Sequence, residues 1–114
     1  MGALLYIVAT LVYIPLTILN LIIVGFKYRG NIDRYLWEEA FEIDVFANRS
    51  FRTLWNLTLR TKEGYEFGRE GETISSAIGK NKRDGTLSKI GLVLDFILDI
   101  FDDNHSIKSI NDKL

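Results

Sequence analysis

The chain contains a single histidine, His105, and no cysteine, so few kinds of side-chain chemistry are open to it. One histidine without cysteines cannot complete a two-histidine zinc site, and the chain has no thiolate nucleophile. The sequence also lacks a nucleophile elbow, a P-loop and a dinucleotide-binding fingerprint. His105 lies just after Asp102 and Asp103, which is typical of a helix cap or a buried hydrogen-bonding group. We therefore predict no catalytic, metal-binding or cofactor-binding residue.

Two charged clusters could bind ions. The first is acidic, Asp95, Asp99, Asp102 and Asp103, and lies along one helical face. Cation sites need oxygen ligands that converge from several directions, and one stripe supplies one direction, so we expect a solvated face. The second is basic and could contact phosphate groups of lipid or nucleic acid; its members are Lys80, Lys82, Arg83 and Lys89. The net charge of −1 gives no general attraction to nucleic acid, so nucleic acid is not an expected partner.

The strongest local pattern joins two short motifs on either side of an apolar segment. Its members are Glu72, Thr73, Ser75, Ser76, His105 and Ser109. Here the chain resembles a family of small proteins of tailed phages and prophages, with the pattern Glu-Thr-(Leu/Ile)-Ser-Ser, a basic turn, an apolar segment and then His-Cys. Ala77 replaces the arginine of that family and Ser106 replaces its cysteine. The resemblance implies a phage origin and no particular activity, and Ser106 means that thiol chemistry is not essential.

We predict that Glu72, Ser75, Ser76 and His105 form one buried hydrogen-bond network. Such a network would tie a short helix to the end of the apolar segment and fix the packing between them. The alternative is that the same side chains form a ligand-binding or catalytic site.

Residues 2–26 include no charged side chain, whereas all 14 Lys and Arg and all 15 Asp and Glu residues follow them. As a helix this segment would be roughly 37 Å long, enough to cross a hydrocarbon core of about 30 Å. No basic residue precedes the segment and no small-residue cleavage site follows it, which favours a retained anchor over a signal peptide. Lys27, Arg29 and Arg34 follow it, so we expect the N-terminus outside and the C-terminal part in the cytoplasm.

The few polar side chains of the anchor share one helical face, namely Tyr6, Thr10, Tyr13, Thr17 and Asn20. Because lipid offers no partner for an amide, this stripe favours pairing with another helix and hence oligomerisation. The alternative is that the hydroxyl groups bond to carbonyls of their own helix while Asn20 reaches the interface.

The periodicity of the remaining chain predicts a mainly α fold with at most one short hairpin. We expect an anchor at 1–28, an amphipathic helical segment at 29–60 and a small helical domain at 61–114, with a loop or hairpin at 60–71. A short helix should run from Thr73 to Gly79 and be followed by a turn at 81–85. The apolar segment 87–101 should be the covered central helix of the domain, or else lie against the membrane surface.

These features favour a small single-span membrane protein of phage type with a structural or interaction role, in a host inner membrane or a virion membrane. Its expected partners are membrane lipid, further copies of itself or other membrane or virion proteins. Two alternatives stay open: a lysis or superinfection-exclusion effector, and a membrane-tethered enzyme or nucleic-acid-binding module that uses the Glu72 and His105 cluster.

Overall fold

The computed structural model describes residues 1–114 and confirms a mainly α fold, with six helices and no strand. The chain divides into two compact units, Met1–Glu38 and Glu39–Leu114. The helices are α1 Gly2–Lys27, α2 Ile32–Ser50, α3 Arg52–Thr58, α4 Ile74–Asp84, α5 Lys89–Phe101 and α6 His105–Lys108.

The first unit contains α1, which by length and composition is a candidate membrane-spanning helix. Within that helix only Val24 is buried. The rings of Tyr28 and Tyr35 stack with their centroids 5.9 Å apart. This stack holds the first turns of α2 beside the end of α1.

The second unit has a small apolar core. Its buried members are Leu59, Phe67, Ala77, Ile78 and Leu87. Partly buried side chains from α3, α4, α5 and the loop between α3 and α4 pack around them, namely Trp55, Tyr65, Ile74, Leu94 and Leu98. Much of the remaining interior is polar.

Helix α4 begins and ends with strong local signals. The Thr73 side chain accepts a hydrogen bond from the backbone N–H of Ser76, and Gly85 closes the helix in the left-handed conformation with a φ of 72°. The predicted end at Gly79 is therefore wrong, because the helix continues to Asp84. Gly79 is needed for close packing instead, since a Cβ atom there would collide with the backbone carbonyl of Ser106.

The segment between α3 and α4 is a loop. Its only β-type backbone pairing is an isolated antiparallel bridge between Arg60 and Leu87. Amide side chains replace strand pairing. Asn56 accepts from the Phe67 N–H and donates to the Phe67 carbonyl, and Asn81 makes the same pair of bonds to Tyr65. The predicted loop-or-hairpin is thus a loop that two asparagines hold in place.

Helix α5 is oriented opposite to the prediction. Ser88 caps its first turn by accepting from the Gly91 N–H at 3.0 Å. Gly91 and Asp95 are its buried residues, whereas seven of its apolar side chains, Ile90, Leu92, Val93, Phe96, Ile97, Ile100 and Phe101, are 44–84% exposed. The interpretation as a covered central helix is therefore wrong, because the polar stripe faces the interior and the apolar side faces outward.

Candidate functional site

The centre of the second unit is a buried ion pair between Glu72 and Lys80. Glu72 is 0% exposed, and its Oε2 lies 2.6 Å from the Lys80 Nζ. The Ser76 hydroxyl donates to the same oxygen at 2.8 Å, and the Tyr65 hydroxyl donates to Oε1 at 2.9 Å. Both carboxylate oxygens of Glu72 thus have partners, as a buried charge requires.

The Lys80 ammonium group uses its three donors within the chain. Besides Glu72, it contacts the Tyr65 hydroxyl at 3.2 Å and the Leu114 carbonyl at 3.0 Å, and it lies 4.5 Å from the centroid of the Tyr65 ring. Burial lowers the pKa of Lys80, but the hydrogen bond and charge of Glu72, with Tyr65, outweigh that effect and raise it. Lys80 is therefore a charged structural residue.

A second polar cluster joins α2, α4 and α6. The backbone N–H and the hydroxyl of Ser75 both donate to the Asp44 carboxylate, at 3.2 and 2.8 Å. His105 Nε2 lies 3.1 Å from the Ser75 Oγ, and His105 Nδ1 lies 2.8 Å from an oxygen of Asp102. The pKa of Asp102 is lowered, most strongly by the hydrogen bond from Lys108 and next by the one from His105.

The order Ser75, His105, Asp102 is that of a catalytic triad, but the hydrogen bonds differ from those of one. An activated serine donates its proton to the histidine, whereas the Ser75 hydroxyl donates to Asp44 and is 3% exposed. The arrangement is better suited to clasp three helices than to attack a substrate.

No protein-family model, curated protein or solved structure matches this chain.

The six motif residues lie close together but form two networks and not one. Glu72 and Ser76 belong to the Lys80 centre, while Ser75 and His105 belong to the Asp44 cluster. Of the remaining two, Thr73 caps α4, and the Ser109 hydroxyl donates to the His105 carbonyl at 2.7 Å. Consecutive serines on a helix point in different directions, which separates the two networks.

Sequence reasoning missed Asp44 and Asn48, which lie one helical turn apart on α2. Asn48 is fully buried, donates to the Glu72 carbonyl and accepts from the Gly68 N–H. Both residues interrupt the otherwise apolar stretch of residues 43–48. Two polar residues four apart in such a stretch are the signal that could have identified them.

The acidic stripe is only partly a solvated face, because Asp95 and Asp99 pair with Lys82 of the same unit whereas Asp103 is exposed. Asp95 accepts from the Ser106 hydroxyl and lies 2.8 Å from the Lys82 Nζ. The hydrogen bond of Asp95 is the largest contribution that raises the pKa of Lys82. Ser106 is thus a buried donor to a carboxylate.

The basic residues predicted to contact phosphate do not form one exposed cluster. Lys80 is buried against Glu72, Lys82 pairs with Asp95 and Asp99, and Arg83 pairs with Asp112 at 3.0 Å. Lys89 is exposed at the start of α5. Three of the four positive charges are already neutralised within the chain.

Three of the five polar side chains of the anchor stripe have partners within the first unit. The hydroxyl groups of Thr10 and Thr17 donate to the carbonyls of Tyr6 and Tyr13, at 2.8 and 2.7 Å. Asn20 donates to the Tyr35 hydroxyl at 2.9 Å. This is close to the alternative in which the stripe satisfies its own polar groups, so oligomerisation through the anchor stays a prediction.

Proposed function

We propose that this chain is a single-span membrane protein with a structural or interaction role, and that it assembles through the outer face of α5. We define the outer face of α5 as its seven exposed apolar side chains, Ile90, Leu92, Val93, Phe96, Ile97, Ile100 and Phe101. Monomeric soluble proteins rarely leave a contiguous apolar patch of more than a few hundred Å² uncovered. The exposure of this face is the observation that supports the proposal.

Contacts on the buried side of α5 fix the orientation of this helix. Asp95 is held by Ser106 and Lys82, and a Cβ atom on Gly91 would collide with the Leu59 carbonyl. Turning the apolar side inward would carry Asp95 away from these groups and leave the buried Ser106 hydroxyl without its acceptor, which is unfavourable. The outer face of α5 therefore needs a partner outside the chain.

A second copy of the chain fits this face. A standard interface buries about 800 Å² on each partner, and seven largely exposed apolar side chains provide an area of that order. An isologous contact between identical surfaces is the commonest way in which a dimer closes. A shared membrane also raises the local concentration of copies, so that a modest interface is sufficient.

The absence of cysteine makes a direct test simple. Val93→Cys and Ile100→Cys, each in the full chain in membranes, should give disulfide-linked dimers under mild oxidation. Lys62→Cys, on an exposed loop outside the outer face of α5, is the matched control and should give few disulfide-linked dimers. Crosslinking at Lys62→Cys that equals crosslinking at the two α5 positions would contradict the proposal.

A bilayer surface is the second candidate partner, and one observation favours it. Apart from Lys89 at its start, the outward half of α5 contains no charge, as expected of a helix that lies in the interface. An environment-sensitive dye on Val93→Cys would then report lipid, and dilution of the protein in lipid would leave the signal unchanged. Under the dimer proposal, dilution abolishes crosslinking.

The proposal also includes the membrane topology of the chain and its origin. The flank of Lys27, Arg29 and Arg34 supports an external N-terminus and a cytoplasmic second unit, and accessibility of Lys62→Cys to a membrane-impermeant reagent tests it. The motif resemblance supports a phage protein of a host or virion membrane. Toxicity on expression would instead favour the lysis or exclusion alternative.

A further inference from the structure

The second unit contains an open cleft of about 610 Å³, which shares only Tyr65 with the two buried polar networks. Its lining includes three arginines, Arg49 and Arg52 from α2 and α3 and Arg69 from the following loop. One carboxylate, Glu66, lines the same cleft, so the lining has a net charge of +2. Ligand sites in proteins commonly have volumes of this size.

The three arginines have no carboxylate partner within ion-pair distance. Arg49 donates once to the Gly68 carbonyl at 3.1 Å, and Arg52 donates once to the Arg49 carbonyl at 2.7 Å. A guanidinium group offers five N–H donors, so most of the donors in the cleft are unused. This distinguishes the cleft from the basic residues of α4, whose charges are paired.

The wall of the cleft is held rigidly. Asn48 and Asn56 bond to the backbone at Gly68 and Phe67, which fixes the loop that bears Arg69. Gly68 has a φ of 105°, and a Cβ atom there would lie 2.5 Å from the Arg52 Cβ. Only glycine permits both this conformation and this close approach, so the loop can lie directly against α3.

We propose that this arginine cleft binds a phosphate group. Guanidinium groups recognise phosphate oxygens through paired N–H donors, and unpaired arginines on different elements can meet one phosphate from several sides. The group could belong to a phospholipid headgroup or to a free phosphate compound, because the recognition chemistry is the same. The inference does not depend on assembly through α5.

The test uses the full chain and the unfolding midpoint of the second unit, since a ligand that binds the folded state raises this midpoint. One arm titrates inorganic phosphate against the protein in a neutral detergent, with sodium chloride at equal ionic strength as reference. The other arm compares bilayers of phosphatidylcholine alone with bilayers that also contain phosphatidylglycerol. A response to inorganic phosphate identifies a free phosphate compound, and a response to phosphatidylglycerol alone identifies a headgroup.

Three variants make the test specific. Arg69 makes no side-chain hydrogen bond within the chain, so Arg69→Ala should keep the fold and weaken binding about tenfold. Glu66→Gln removes the opposing carboxylate and should tighten binding a few-fold. Lys62→Ala, a charge-matched control outside the cleft, should respond as the wild type does. The proposal is overturned if neither arm raises the midpoint, or if Arg69→Ala and Lys62→Ala respond equally.

Discussion

Helices α4 and α5 pack side by side in the same small unit and reverse the usual relation between polarity and burial. From Ser75 to Asn81 every residue of α4 is buried, including two serines, a lysine and an asparagine. Helix α5 consists mainly of Ile, Leu, Val and Phe, yet its only buried residues are Gly91 and Asp95. In most soluble domains the apolar helix is the one that lies inside.

The difference shows which interactions support this unit. Its interior depends on polar groups that are paired with one another, and each such group becomes costly when its partner is removed. The exposed side chains of α5 make few contacts in the isolated chain, so they contribute little to the free energy of folding. Substitutions in the two helices should therefore have very different effects.

The largest effect is expected from Lys80→Met. This change leaves the Glu72 carboxylate buried without its cation, which should lower the free energy of unfolding by about 3–5 kcal/mol. Denaturant titration of the full chain in mild detergent, followed by tryptophan fluorescence with Trp37→Phe as the background so that Trp55 alone reports, measures this change. Lys89→Met on α5 is the matched control and should change stability by less than about 0.5 kcal/mol. Equal losses of stability in Lys80→Met and Lys89→Met would show that the two helices do not differ in how much their charged residues support the fold.

A smaller loss of stability is expected from His105→Ala. The change leaves Ser75 and Asp102 without the ring that joins them, which should lower the free energy of unfolding by about 1–3 kcal/mol. Asp103→Ala, at an exposed neighbour, serves as the control in the same titration. If His105 instead belongs to a reaction site, any activity will disappear while the thermal midpoint stays where it was.

Acid should weaken the same cluster. The pKa of Asp102 is lowered by hydrogen bonds from Lys108 and His105, so its contribution to stability is present above the ordinary aspartate pKa. That contribution is lost progressively as the pH falls from about 4, the ordinary aspartate pKa, down through the lowered pKa of Asp102. Unfolding midpoints measured across this range should decline less steeply for Asp102→Asn than for Asp103→Asn. Parallel curves for the two variants would show that Asp102 is not the group responsible.

The smallest effect on folding is expected from Ile100→Ser on the outer face of α5. Because Ile100 is exposed, its replacement should change the free energy of unfolding by less than about 0.5 kcal/mol. The same change should reduce dimer crosslinking from Val93→Cys, since it places a hydroxyl group in the proposed interface. A large loss of stability in the monomer would show that α5 is covered from within the chain.

The sequence was sufficient to predict the elements whose signals are local. The uncharged run before Lys27, the Thr73 cap and the apolar period of α5 each predicted a helix that is present. The motif residues were correctly grouped as neighbours, but their connectivity depends on how α2, α4 and α6 meet. Asp44 lies 31 residues from Ser75, and no local pattern reports that distance.

The orientation of α5 could not be predicted from its composition. A stripe of aspartates usually faces water, and only Lys82 and Ser106, from α4 and α6, turn Asp95 inward. The arginine cleft was missed for the same reason, because Arg49, Arg52 and Arg69 are spread over α2, α3 and a loop. Gly79 gave a misleading signal, since glycine marks close packing as well as helix ends.

The outer face of α5 also bears on how long the protein survives in a cell. Chaperones and proteases act on protein that exposes apolar segments, and they do not distinguish a misfolded chain from a folded one that lacks its partner. A newly made copy with this face uncovered is therefore subject to degradation until the face is occupied. Because a second copy is the proposed partner, the fraction of copies that escapes degradation should rise with the concentration of the protein itself.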